Sequence, residues 1–226
     1  MGVQERKERE KAERKAMIIR HTKDLIVEKG VDSFSMLDIA KRAELSKATL
    51  YLYFPSKEAI LEAIFNEAGS YFFNYVSARL DRASSGIEAI RAIWMSYLEI
   101  FGGSSDLFVM FGIKNYIAPG FPLVYDRKDM NPELSHFRLY RLISRVLERG
   151  LADGTLDPSI APEKIARTII MIADGIVDNV ARLPLEQRDT ALIIQEMKST
   201  FEIVLRGLAA PGIDRALLVL ADKIQE

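Results

Sequence analysis

The sequence predicts an all-α protein, a small N-terminal three-helix unit followed by a larger helical bundle. Three observations predict it. Apolar residues recur at helical spacing through most of the 226 residues. Helix punctuation separates these runs: Gly30, Ser35, Ser46, Pro55 and the Ser84-Ser85-Gly86 cluster. No segment alternates apolar and polar residues as a half-buried strand would.

The chain opens with ERKEREKAERK (5–15), which has no apolar face but has Glu5 and Arg9, and Glu10 and Arg14, at i,i+4 in the favourable order. It reads as a solvated extension of the next helix, with a phosphate-reaching arm as the alternative. That helix offers Ile18, Ile19, Leu25 and Ile26 to a core and ends at Gly30. A long helix starts near Ser56 and carries Ile60, Leu61, Ile64, Phe65, Ala68, Phe72, Val76 and Leu80 at helical spacing. Further helical sets follow at Ile87–Phe101 and Leu107–Ile117, then a loop with Pro119, Gly120, Pro122 and Pro132. The next helix points Phe137, Tyr140, Ile143 and Leu147 inward and Arg138, Arg141, Arg145 and Arg149 outward. Two long helices, about 162–181 and 187–208, precede a short one after Pro211. The expected domains are 1–55 and 56–226.

Composition narrows the chemistry. With no cysteine and only His21 and His136, a disulfide framework, a thiolate metal site and an imidazole cluster are all unexpected, and no cofactor is predicted. Both histidines read as side chains without a chemical role. The charged start is unlike a signal peptide, and apolar stretches such as Ile169–Ala173 are far too short to cross a bilayer, so a cytoplasmic protein with no membrane partner is expected. Residues 1–60 hold thirteen Lys/Arg against ten Asp/Glu, net +3, while the rest holds eighteen against twenty-two, net −4. That asymmetry turns the N-terminal segment toward an anion.

The stretch SMLDIAKRAELSKATLYLYFPSK (35–57) carries the most information. Ser35 is a good N-cap and Asp38 sits in the first turn, where the helix dipole favours an acid. Ile39, Ala40 and Ala43 form an inner face, and Ala40 is small enough for a second helix to cross closely. Glu44 and Leu45 make a tight turn. Ser46 then caps a two-turn helix, Lys47 to Tyr53, ended by Pro55. This is a helix-turn-helix, whose second helix inserts into the major groove of double-stranded DNA. The candidate DNA contacts are Ser35, Ser46, Lys47, Ala48, Thr49, Tyr51, Tyr53 and Lys57. Lys47 and Thr49 suit phosphates or base edges, Ala48 a thymine methyl, and the tyrosine hydroxyls phosphates.

Residues Ile18 to Lys57 resemble the DNA-binding domain of the TetR family, through Leu25-Ile26, Gly30, Ser35, Ile39-Ala40, Ser46-Lys47 and the run Thr49–Phe54. There are departures. Glu44 stands where the family usually has glycine, so a non-glycine residue must hold the turn, with strain if its φ is positive. Leu52 replaces a frequent histidine, and His21 a small residue.

The resemblance implies a homodimeric, ligand-released repressor on a palindromic operator, with a small-molecule effector in the C-terminal bundle. Trp94, Tyr97, Met110, Phe111, Tyr140 and Met171, with the polar Asn115 and Asp174, are the candidate effector contacts, and their composition favours a hydrophobic or amphipathic effector. Ile169, Ile170 and Ala173, in a helix apolar on every side, and Ile194, Met197, Phe201 and Val204 are the candidate dimer interface. The competing readings are an architectural DNA binder with a filled core and an all-α enzyme. The latter would need a nucleophile–base or metal constellation that no cysteine or histidine cluster supplies.

Overall fold

A computed structural model describes residues 2–103, 106–117, 135–159 and 161–220, with the side chains of residues 3, 106, 114, 115, 135–137 and 185 outside the description. The expected proline-rich loop at 119–132 and the side chains of Asn115, His136 and Phe137 therefore lie outside the described residues. The described elements are α1 (Val3–Lys29), α2 (Met36–Arg42), α3 (Lys47–Tyr53), α4 (Lys57–Leu80), α5 (Gly86–Gly103), α6 (Asp106–Gly112), α7 (Lys114–Ile117), α8 (Ser135–Ala152), α9 (Pro162–Ala181) and α10 (Thr190–Leu208). Short 3₁₀ turns stand at Val31–Ser33, Leu185–Gln187 and Arg215–Leu218, the last where a C-terminal helix was expected. Among the described residues the only extended pairing is an isolated antiparallel bridge between Leu156 and Ala209. The fold is all-α, as predicted.

The chain forms two compact units. One comprises residues 1–68 and 109–121, the other 69–108 and 122–226. The division departs from the expected boundary at residue 55. Ile60, Leu61 and Ile64 of α4 are fully buried in the first unit's core beside Ile18, Leu25, Ile26, Ile39 and Leu50, and Met110 and Ile113 join the same core. Helix α1 and the two seven-residue helices expose too much apolar surface to close a core alone. The first turns of α4 and the α6–α7 segment complete it.

Within the second unit α5 is the central helix, packed against both α8 and α10. Its amino end meets α8 at a glycine pair: a Cβ on Gly86 would stand 2.1 Å from the Gly150 Cα. Asp153 Oδ2 accepts from the Gly86 amide at 2.7 Å and Thr155 Oγ1 from the Ile87 amide at 3.1 Å, so the turn after α8 caps α5. Burial raises the Asp153 pKa, but its bonds from Thr155 and Gly86 outweigh that and hold it below the usual carboxylate range. Aromatic rings fill the interior. Trp94 stacks on Phe201 with centroids 4.0 Å apart, and Tyr97 packs edge-on to Phe72 at 4.5 Å.

The arginine stripe of α8 is not wholly solvent-facing as expected. The Arg138 guanidinium lies 4.0 Å from the Phe73 ring centroid, and Arg149 donates to the Ala83 carbonyl at 2.8 Å. Arg141, Arg145 and Arg149 are exposed, and Arg138 is half-buried. The N-terminal charges also pair differently. Arg6 bonds Glu10 at 2.8 Å and Arg9 lies 3.6 Å from Glu13, rather than Glu5 with Arg9 and Glu10 with Arg14.

Candidate nucleic-acid interface

The two helices of the motif are built by their caps. Ser35 Oγ accepts from the Asp38 amide at 3.4 Å, while Asp38 Oδ2 accepts from the Ser35 amide at 2.8 Å, a reciprocal capping box that starts α2. The Ser35 bonds hold the Asp38 carboxyl below its ordinary pKa. At the other end the Leu45 amide donates to the Ala40 carbonyl at 2.8 Å, closing the turn through Glu44. Glu44 has φ +53°, the left-handed conformation in which a non-glycine residue is strained. Ser46 Oγ accepts from the Thr49 amide at 3.0 Å and so caps α3. Leu50, fully buried, is the inward anchor of α3, and Ile39 and Ala40 anchor α2. Arg42 bridges to Glu28 of α1, with one bond of 3.1 Å, and Lys23 to Glu67 of α4 at 2.8 Å. The first bridge ties α2 of the motif to α1, and the second ties α1 to α4.

This framework leaves Ser46, Lys47, Ala48 and Tyr51 exposed along α3 and its cap, with Thr49 and Tyr53 half-buried and Ser35 exposed at the cap of α2. The Lys47 ammonium lies 5.8 Å from the Tyr51 ring centroid, which pre-orients both side chains. Thr49 Oγ1 shares a 2.8 Å hydrogen bond with Ser46 Oγ. Lys57 is the exception and a correction to the expected contacts. It is buried, and its Nζ donates to the carbonyls of Val31 at 2.5 Å and Phe34 at 2.8 Å, 4.2 Å from the Phe34 ring centroid. Burial pushes the Lys57 pKa down, partly opposed by Asp32, Glu58 and Asp38. Its role here is to satisfy the carbonyls at the turn after Gly30.

Sequence reasoning passed over two residues of this surface. Leu37 on α2 is 47 % and Leu52 on α3 80 % exposed, both large apolar side chains turned to solvent. A leucine between two tyrosines on a helix of two turns cannot be assigned inward or outward by periodicity alone. His21 Nδ1 stands 3.7 Å from Asp24, in line with a role in packing.

The effector candidates are divided between the units. Trp94 and Tyr97 share one aromatic cluster, and burial together with the negative charge of Asp174 raises the Tyr97 pKa. The buried Trp94 Nε1–H has no hydrogen-bond acceptor among the described residues. Met110 and Phe111, by contrast, pack in the first unit, Phe111 edge-on to Phe65 at 6.3 Å. Tyr140 is half-buried on α8, and Met171 is 54 % exposed on α9.

The dimer candidates divide likewise. Ile169, Ile170, Ala173, Met197 and Phe201 are buried within the single chain. Ile194 and Val204 are half-buried. The exposed apolar residues of α9 and α10 are Met171, Leu192 and Ile203, the last 68 % exposed.

Comparison with known proteins agrees with the motif. The sequence profile of bacterial regulatory proteins of the tetR family matches residues 18–64. The HTH-type transcriptional regulator YuxN of Bacillus subtilis is 37% identical over 68 residues, 30% of this chain; the match spans 22% of that relative's length. The HTH-type transcriptional repressor KstR2 of Mycolicibacterium smegmatis is 22% identical over 158 residues, 70% of this chain and 75% of that one. Among solved structures, the transcriptional regulator FadR from Bacillus subtilis in complex with stearoyl-CoA aligns with a TM-score of 0.60 at 21% identity, covering 85% of this chain and 98% of that one.

Proposed function

We propose that this chain, which belongs to the TetR family of transcriptional regulators, is a repressor that binds a palindromic operator as a homodimer and is released by a small hydrophobic effector. The observation that carries the reading is the exposed face of α3. Ser46, Lys47, Ala48 and Tyr51 project from a short helix rigidly capped by Ser46 and anchored by Leu50. Such a helix presents donors, a small apolar contact and aromatic hydroxyls at the spacing a major groove accepts. Two-fold pairing would set two such helices about one DNA turn apart, roughly 34–36 Å. Met171 on α9 and Leu192 and Ile203 on α10 are exposed apolar side chains that support pairing. Repression is favoured by the relative named as a repressor.

The effector reading rests on the Trp94–Tyr97–Asp174 region, where an indole N–H without an acceptor sits beside a buried phenol. A bound acceptor group would relieve that cost. The structural neighbour solved with stearoyl-CoA favours an acyl compound. Release would follow only if the effector binds the DNA-incompetent state more tightly.

The test is selection from random duplexes at two salt concentrations by the wild type, Lys47→Ala and Tyr51→Ala. Enrichment of a palindrome, with affinity falling steeply with salt and lost in both variants, is expected. Absence of any enriched sequence would refute the DNA-reading function. A second reading, a DNA binder of the same fold without an effector, is favoured by the tight Trp94–Phe201 stack. Because Trp94 is the only tryptophan, its fluorescence separates the two. A spectral change on adding long-chain acyl-CoA together with loss of operator binding supports the effector. An unchanged spectrum and unchanged DNA affinity supports the second reading.

A further inference from the structure

Helix α1 begins long before its core does. Residues 4–16 are exposed, and Ile18 is the first fully buried side chain. Residues 3–16 are therefore an arm projecting about 21 Å at 1.5 Å per residue. This arm and the carboxyl end of α3 enclose an open groove of about 560 Å³, lined by Lys7, Lys11, Arg14 and Met17 on one wall and Leu52 and Tyr53 on the other. Lysines 7 and 11 and Arg14 stand at i, i+4 and i+7 and so share one helix face. Glu10 and Glu13 also reach the groove, but each is paired within the helix, to Arg6 and Arg9. The field in the groove is therefore set by the basic face. Lys15, 5.5 Å from the Phe54 ring centroid, holds the base of the arm against the residue that ends α3.

We propose that this groove is a second DNA contact, in which the arm seats the sugar-phosphate backbone of the duplex flanking the half-site read by α3. The inference rests on the DNA-binding reading above. Duplex DNA is the occupant because the groove continues directly from the exposed Tyr51–Leu52 face of α3 and its other wall offers ammonium and guanidinium groups to phosphates. An arm of about 21 Å corresponds to about six base-pair steps of 3.4 Å measured along the duplex axis. The groove therefore extends the footprint outward rather than adding base readout.

The experiment uses the full-length protein and the duplex selected above, made with and without about six flanking base pairs on each side. Affinity is measured against salt for the wild type and for a Lys7→Gln/Lys11→Gln/Arg14→Gln variant. The wild type is expected to bind the flanked duplex about tenfold more tightly at low salt. The variant should lose that preference, and its log–log salt slope should be shallower by up to about three per protomer, since each phosphate contact contributes about 0.9. Its melting temperature should be unchanged, because the three side chains are exposed and outside the core. A variant with the wild-type slope and flank dependence overturns the arm contact while leaving operator reading intact, and would turn the groove toward a protein partner. A wild type that selects no duplex at all refutes the DNA-reading function and this inference with it.

Discussion

Lys47 and Lys57 are ten positions apart, yet their environments assign them different work. Lys47 is exposed on α3, whereas Lys57 is buried with its Nζ on two backbone carbonyls. Lys47→Ala should lower operator affinity at an unchanged melting temperature. Lys57→Ala should instead destabilise the fold by about 2 kcal/mol, because it strands two carbonyls whose partner was charged. Chemical denaturation of both variants beside a DNA titration separates these outcomes; equal stability of the two would overturn the assignment. Glu44 is the other residue whose backbone matters. At φ +53° a side chain costs about 1 kcal/mol relative to glycine, offset in part by glycine's greater freedom when unfolded. Glu44→Gly should therefore stabilise the chain by about 0.5 kcal/mol and, by removing an acid beside the DNA-facing turn, tighten operator binding. Glu44→Gln tests the charge alone and should tighten binding without the gain in stability.

At the level of helices, the decisive contacts are made by residues with little side chain. The Gly86–Gly150 crossing lets α5 and α8 approach until their backbones touch, and the Asp153 and Thr155 side chains then reach the amino end of α5. A methyl on Gly86 would collide with backbone, which cannot rotate away. Gly86→Ala should cost about 3 kcal/mol, seen as a lower midpoint in urea, whereas Gly175→Ala, where an added Cβ meets nothing within 4 Å, should be near neutral. Equal midpoints for the two would show that the crossing relaxes more easily than its geometry indicates. The first unit shows the complementary case. Its helices α2 and α3 have seven residues each, too short to be stable alone, and they hold their shape through serine caps, buried Leu50 and Ile39, and the Arg42–Glu28 bridge.

For the whole molecule, the proposal of a two-fold dimer makes operator affinity depend on association. Ile203 is 68 % exposed at the apolar surface of α10. Ile203→Glu should leave each protomer folded but shift it to the monomer in analytical ultracentrifugation. Affinity for a full palindrome should then fall about 100-fold or more, because the second half-site is no longer bound intramolecularly. Met197→Glu, at a residue buried within one chain, should unfold the second unit instead. A variant Ile203→Glu that stays dimeric would move the interface elsewhere.

The all-α class, the boundaries of α9, the caps at Ser35 and Ser46, the glycine-free turn at Glu44 and the helix-turn-helix itself were legible in the sequence. Each is set by local chemistry: helical spacing of apolar residues, a side-chain oxygen within reach of an amide, a turn with no glycine to relieve it. The tertiary structure alone decided which apolar faces meet. It placed Met110 and Phe111 in the N-terminal core, turned Met197 and Phe201 inward and Ile203 outward, and buried Lys57 against two carbonyls. It also brought the charged start of α1 alongside Leu52 and Tyr53. The reason is physical. Periodicity identifies the stripe of a helix that must be buried, but an apolar stripe is equally satisfied by its own core or by another chain, and only the packing of distant segments chooses between them.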